Sequence, residues 1–379
     1  MDVRYDRDCD VGLIQGRRVA VVGYGNQGRA HAANLRDSGV RDLVVAARPQ
    51  SPARQQAAEA GFTVMTPEEA AAWADVLFIL TPDEGHGALY KTLEPHLRKG
   101  AALGFAHGLS VHAGLVRPRA DLDVFLLAPK GAGWAVRAEY QKGSGVLGLA
   151  GVAQDASGQA WELAYAYGAA LGCGRAGMLA TSFGEEMETD LFGEQAVLCG
   201  GMMELVKAGF ETLVERGYAP EIAYLECVHE LKLVVDLLYK GGLGHVSRSI
   251  SNTAEYGAIS KGPKVVGANV KKRMGEVLDA IQDGTFVRDF MVENQSGGIK
   301  MNAARRRDEH SLQEHTGAAL RSVLARQTKQ GTQPLPPSQA LIVLQPEGAG
   351  TESKGSKKER GKASKAGTKA HKSKKKAKS

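Results

Sequence analysis

The sequence predicts an α/β domain built on a parallel sheet, then an all-α domain, then a disordered basic tail. Three observations carry this. Short, continuous apolar runs recur through the first 150 residues with helical stretches between them. Strands buried on both faces read this way, whereas half-exposed strands alternate. Beyond Ser182 those runs give way to long helical segments. From Gln330 the chain is rich in Pro, then in Gly, Ser, Thr and Lys, without an aromatic residue. Such a segment buries too little apolar surface to offset the entropy of ordering.

The elements follow in order. Arg17-Arg18-Val19-Ala20-Val21-Val22-Gly23, a β-branched run ending in glycine, is the first strand, and a helix from about Asn26 to Asp37 stops at Gly39. Further strands are expected at Leu43–Ala47, Val76–Leu80, Ala102–Phe105 and Val124–Ala128. The clearest later helices are Glu185–Gly217 and Glu221–Lys240, the second opened by Pro220 and closed by Gly241-Gly242. The expected domains are 1–181, 182–327 and a Lys-rich tail over 328–379.

The net charge of +6 invites a nucleic-acid reading, so its place matters. Residues 351–379 hold eleven Lys and Arg360 against Glu352 and Glu359, a net +10, which leaves about −4 for the other 350 residues. The basic excess is therefore confined to the tail, where it either solubilises the chain or contacts an acidic partner. Cys9, Cys173, Cys199 and Cys227 are widely spaced with no C-x-x-C, which argues against a disulfide scaffold or zinc ribbon and fits a cytoplasmic protein. No apolar run is long enough to span a bilayer, and no secretory signal is expected at the N-terminus.

Gly23-Tyr24-Gly25-Asn26-Gln27-Gly28 is a G-x-G-x-x-G directly after a strand and opening a helix. The first glycine permits a tight turn, the second admits a pyrophosphate, and the third lets helix and strand pack closely. This marks a Rossmann dinucleotide site. An NAD site would place Asp or Glu at the end of the next strand. Here the sequence is Ala46-Ala47-Arg48, followed by Ser51. Arg48 suits a 2′-phosphate, and Ser51 can donate to it, so NADP is expected.

Glu186, Asp190 and Glu194 are spaced to share one helix face, and Glu226 and Glu230 repeat the spacing on a second helix with Leu233 and Leu237 on the same side. Two readings stay open: solvated acids, or a cage for Mg²⁺ built from oxygen ligands. His107 and Lys130 each follow a strand, at the sheet end where α/β folds bind ligands.

With these residues in hand, the chain resembles the ketol-acid reductoisomerases (acetohydroxyacid isomeroreductases) of the shorter class, over roughly residues 1–327. The stretches GYGNQGRAHAANL, ILTPDE, ADLDVFLLAPKGAG, ETDLFGEQAVLCGG, ECVHELKLVVDLLYKGG and SISNTAEYG carry the likeness. The resemblance implies a knotted helical domain, two Mg²⁺ ions, NADPH, and a homodimer, or a multiple of dimers, with active sites shared between subunits. It implies migration of an alkyl group in 2-acetolactate or 2-aceto-2-hydroxybutanoate, then reduction to a 2,3-dihydroxy acid for branched-chain amino acid synthesis. By the same resemblance, Asp190 bridges two ions, Glu194 serves the first, and Glu226 and Glu230 serve the second from the partner chain. His107, Lys130 and Glu186 are the implied catalytic groups, and Ser251 contacts the substrate carboxylate. Tyr24 to Gln27, Arg48, Ser51, Thr81, Pro82, Asp83, Glu84 and Gly133 match cofactor positions. The sequence departs from the family pattern at Pro49-Gln50, Ala53, Trp134 and residues 244–248. Two other readings are kept: a specialised paralogue reducing simple 2-keto acids, which these departures fit, and a scaffold that binds nucleic acid through its basic tail. No membrane partner is expected.

Overall fold

The computed structural model describes residues 2–329. The expectation of a disordered tail lies, from residue 330, outside the described residues. The segment through Leu320 is one compact unit, so the boundary expected near 181 is not a gap in packing.

Nine strands form one sheet: β1 (Val3–Arg4), β2 (Val19–Val22), β3 (Leu43–Ala46), β4 (Thr63–Met65), β5 (Val76–Ile79), β6 (Ala102–Phe105), β7 (Asp123–Pro129), β8 (Gly148–Gln154) and β9 (Met178–Thr181). Their spatial order is β1-β9-β8-β7-β6-β5-β2-β3-β4. From β4 to β7 all pairings are parallel, in the order of a doubly wound dinucleotide-binding sheet. All five apolar runs noted in the sequence are strands of this block.

The opposite edge departs from the parallel expectation. β8 runs antiparallel to β7, and β1 antiparallel to β9. β8 reads GLAGVAQ, whose glycines and half-exposed positions break the continuous apolar signature. β4 and β1 are two or three residues long and carry too little pattern to be legible.

Alternation along each strand builds two cores. Val19, Val21, Val45, Phe78, Phe125 and Leu127 pack on one face, and Ala20, Val22, Val44, Leu77, Leu103 and Leu126 on the other. Helices cover both faces, which is why these strands read as unbroken apolar runs. On the first face Phe78 stacks on Tyr167 with centroids 4.3 Å apart, and Phe125 meets both rings edge-on.

The helices that matter for the site are α1 (Asn26–Asp37), α2 (Pro52–Glu59), α3 (His86–Leu93), α4 (Leu109–His112), α5 (Gly133–Gln141), α6 (Phe183–Gly193), α7 (Gly200–Glu215), α8 (Leu231–Ser249), α9 (Asn252–Val265) and α10 (Thr285–Gln295). α1 has the expected bounds, and Gly39 beyond it has φ +88°. Chain after Ser182 is helical throughout the described residues, through a last helix at Leu312–Lys329.

The two long helices expected there are each interrupted. A π-helical turn over Glu194–Leu198 separates α6 from α7, with the Cys199 N–H donating to the Glu194 carbonyl 2.9 Å away. A second, over Leu225–His229, lies between the short Pro220–Tyr224 helix and α8. A π turn inserts a residue and rotates the downstream helix by about 100°. The helix after Pro220 also does not end at Gly241-Gly242. Gly242 kinks it at φ 71°, and it continues to Ser249.

Candidate active site

Two clefts open at the carboxyl ends of the parallel strands. The first is a groove of about 850 Å³ lined by Gly23, Tyr24, Gly25, Asn26 and Gln27 from the β2–α1 turn, Arg48 and Ser51 after β3, and Thr81, Pro82 and Glu84 after β5. At Gly23, φ is +100° and a Cβ would lie 2.7 Å from the Leu80 carbonyl oxygen, so only glycine makes this turn. A Cβ on Gly28 would sit 2.2 Å from the Gly23 carbonyl, and one on Gly133 equally close to that of Asn26. Gly28 and Gly133 are therefore packing glycines that seat α1 on its strand and α5 on α1. Neither lines the groove, contrary to the cofactor-contact expectation for Gly133.

The groove presents polar atoms left unused among the described residues. Thr81 Oγ1 and Gln27 Oε1 are buried with no hydrogen-bond partner there, a state that a bound group normally relieves. The first turn of α1 aims its free N–H groups the same way. Together these fit a dinucleotide. Ser51 behaves differently from expectation. Its hydroxyl donates to the Arg48 carbonyl at 2.9 Å and caps α2, so its hydrogen is already engaged. The Arg48 side chain makes no ion pair among the described residues and lies in the groove wall.

The second cleft, about 790 Å³, is lined by Asp83, His107, Lys130, Glu186, Asp190, Glu194 and the aromatic pair Phe286 and Phe290 of α10. Gln27 lines both clefts, so they meet there, and its Nε2 donates to the Gly131 carbonyl at 2.9 Å. His107 comes from the turn after β6, Lys130 from just past the end of β7, Asp83 from the loop after β5, Glu186 and Asp190 from successive turns of α6, and Glu194 from the start of the π turn that follows it.

Glu186 is the centre of this cluster. It is 1 % exposed, so its charge must be paired. His107 Nδ1 lies 2.9 Å from Oε2, the Gly108 N–H donates to the same oxygen at 2.7 Å, and Lys130 Nζ donates to Oε1 at 3.0 Å. Lys130 also donates to Asp190 at 2.7 Å. Burial alone would raise the Glu186 pKa, but the His107 hydrogen bond and the charges of His107 and Lys130 hold it below the usual range. Burial opposes the charge of His107, yet Glu186, Asp83 and Asp190 outweigh it and raise its pKa. Glu194 titrates high, first from burial and then from Asp190 beside it.

Ligand-type atoms of His107, Glu186 and Asp190 lie within 4.8 Å of one another, with Glu194 in the same wall. The Lys130 ammonium already sits between two of these carboxylates, so the position suits a cation, and the oxygen-rich set suits Mg²⁺. Three expected residues are not brought here. Glu226, within the second π turn, and Glu230, just after it, are exposed and line neither cleft. Ser251 is also exposed and caps α9, accepting from the Ala254 N–H at 3.2 Å. Trp134, 74 % exposed, follows Gly131 and Ala132 but does not line the cleft. Phe286 and Phe290 escaped the sequence reading. Their i,i+4 spacing was the available signal, but it marks many core helices equally.

Two family models match the chain: the NADPH-binding domain of acetohydroxy acid isomeroreductase over residues 13–177, and the C-terminal domain of ketol-acid reductoisomerase over 183–326. Among solved structures, an NADH-preferring ketol-acid reductoisomerase from an uncultured archaeon is 41% identical, with a TM-score of 0.83, covering 85% of this chain and 99% of its own. A semialdehyde dehydrogenase NAD-binding protein from Cupriavidus necator is 18% identical, with a TM-score of 0.54 over 70% of this chain and 99% of its own, a likeness of fold alone.

Proposed function

Because this chain belongs to the ketol-acid reductoisomerase family, an oxidoreductase family that uses a nicotinamide cofactor, we propose that it converts 2-acetolactate and 2-aceto-2-hydroxybutanoate to 2,3-dihydroxy acids with Mg²⁺ and NADPH. One observation carries this reading: the acid–His–Lys cluster and the dinucleotide groove meet at Gln27, so a substrate held by the cluster adjoins the nicotinamide end of the cofactor.

Asp190 and Glu194 are the residues of this chain that would hold Mg²⁺, with buried Glu186 behind them. When bound, the ions supply Lewis acidity toward the hydroxyl and carbonyl oxygens of the substrate. The protein's own groups do the rest. Glu186 fixes the His107 ring through Nδ1 and leaves Nε2 as the nitrogen available for proton exchange. Lys130 balances the two carboxylates and is positioned to donate to a substrate oxygen. Phe286 and Phe290 exclude water from the far wall.

Glu226 and Glu230 belong, in this reading, to the site of a second copy of the chain. Their exposure supports it, as does the apolar surface that the same helices leave uncovered: Leu233, Val234, Val235 and Tyr239, the last 94 % exposed. The proposed assembly is a homodimer or a multiple of dimers. A knotted helical chain path and a cytoplasmic location belong to the same proposal. No helix among the described residues is long and apolar enough to cross a membrane.

NADPH preference rests on Arg48 and the lack of an acid at the end of β3. It is tested by steady-state assays of the full chain with 2-acetolactate and Mg²⁺ and either NADPH or NADH. The expected outcome is oxidation of both, faster with NADPH. No oxidation of either would remove the reductoisomerase reading, and faster turnover of 3-hydroxypyruvate or 2-ketopantoate would replace it with a simple 2-keto acid reductase.

A further inference from the structure

One buried polar group connects the two clefts without lining either. His86, at the start of α3, is 3 % exposed, and its ring packs against Phe105. Its Nε2 lies 2.8 Å from the Thr81 carbonyl oxygen, and its Nδ1 lies 2.6 Å from Ser110 Oγ. A carbonyl only accepts, so Nε2 carries the hydrogen. Nδ1, on the other side of the ring, pairs with the Ser110 hydroxyl. Ser110 is fully buried in α4.

Both partners belong to segments that carry the site. Thr81 lines the dinucleotide groove, and two residues later Asp83 lines the acid cleft. Ser110 lies three residues after His107 and two after Gly108, whose N–H holds Glu186. That turn has no room to drift toward α6, since a Cβ on Gly108 would meet the Phe183 carbonyl at 2.1 Å. On its other side, His86 ties it to the β5 loop. The Asp83 carboxylate stands 3.6 Å from Nδ1, beyond hydrogen-bond range, and faces the cleft instead.

We propose that His86 is a positioning residue that locks the cofactor loop at Thr81–Glu84 to the turn carrying His107. The distance between nicotinamide and acid–His cluster is then set by one imidazole bridge rather than by loop packing alone. The role applies to the reductoisomerase reaction and rests on that reading, but the bridge also bears on cofactor affinity, which is measurable without turnover.

The test uses the full chain as wild type, His86→Leu, His86→Gln and Ser110→Ala. Dissociation constants for NADPH and NADH are read by cofactor fluorescence. kcat and KM are measured with 2-acetolactate and Mg²⁺, at a temperature at which each variant is folded. His86→Leu removes both hydrogen bonds. It is expected to weaken cofactor binding about tenfold and to lower kcat on the order of tenfold or more through misplacement. His86→Gln spans the same gap, donating from Nε2 and accepting at Oε1, and is expected to restore both within about threefold. If His86→Leu does not fold, Ser110→Ala, which removes one bond, is expected to weaken binding about threefold. Glutamine as impaired as leucine, or unchanged binding and kcat in His86→Leu or in Ser110→Ala, would overturn the proposal. A wild-type chain that binds cofactor but turns over no acetohydroxy acid would overturn the reductoisomerase reading alone, and the binding constants would still decide for or against His86.

Discussion

Phe78 and Phe125 of the sheet lie fully buried against Tyr167 of the helix Ala160–Ala170, and Glu186 on α6 has a lysine, a histidine and a backbone N–H for its charge. Forty residues later on the chain the pattern inverts. Leu233, Val234 and Val235 face solvent, and the side chains of Glu226 and Glu230 make no ion pair among the described residues. The sheet side meets its own packing and charge requirements. The helices around α8 carry apolar surface and carboxylates that the other described residues leave unmatched, the surface that the proposed second subunit would cover.

The largest effects should expose that asymmetry. Phe78→Ala is expected to cost about 3–5 kcal/mol in urea unfolding, because a ring stacked on Tyr167 cannot be replaced by collapse of a β-sheet core. Leu233→Ala, measured where the chain is monomeric, should change stability by less than about 0.5 kcal/mol. Equal losses would mean that the helical surface is satisfied within one chain.

Next in size is activity. Asp190→Asn and Glu226→Gln should each lower turnover of 2-acetolactate at least about a hundredfold. Co-expression of the two variants should then recover about a quarter of wild-type activity, since half the dimers are mixed and each carries one intact site. If mixing restores nothing while dimers form, both acids act within one chain, and the helical carboxylates are not shared between subunits.

A smaller effect separates the interiors by pH. His31, on α1, is fully buried, with Nδ1 3.1 Å from Tyr167 Oη and Nε2 without a hydrogen-bond partner among the described residues. Burial pushes its pKa down from 6.5 to about 3. Below pH 6.5 the unfolded chain binds a proton that the folded chain refuses, so this site's stability contribution falls as pH drops toward 3. Between pH 7 and 5.5 wild type should lose about 1 kcal/mol more than His31→Phe. Identical slopes would show that the ring takes up a proton in the folded state.

The smallest effect concerns Ser251. As a cap of α9, Ser251→Ala should cost about 1 kcal/mol of stability. A rise of tenfold or more in KM for 2-acetolactate beyond that loss would give Ser251 the substrate contact that the family resemblance implies. An unchanged KM would leave it a cap.

Much of the sheet was legible because its determinants are local. Five continuous apolar runs, a glycine turn and helix bounds at Asn26 and Asp37 are set by residues within a few positions of one another. β8 and β9 were not, because a glycine-rich strand at a mixed edge shows no single period. The acids were legible as a set but not as a geometry. Their i,i+4 spacing assumes an unbroken α-helix, which holds from Glu186 to Glu194 but fails between Glu226 and Glu230, where the π turn at Leu225–His229 intervenes.

By itself, then, the sequence determined the dinucleotide turn at Gly23–Gly28, the buried parallel strands and the identity of the candidate acids, because short-range sterics and periodicity decide those. Only the tertiary structure decided that Glu186 meets His107 across 79 residues and Lys130 across 56, that Glu226, Glu230 and Ser251 stand away from them, and that His86 joins two loops. These contacts depend on which strand ends lie side by side and how far each helix rotates before it arrives. Both are outcomes of packing over the whole chain, which no local pattern encodes.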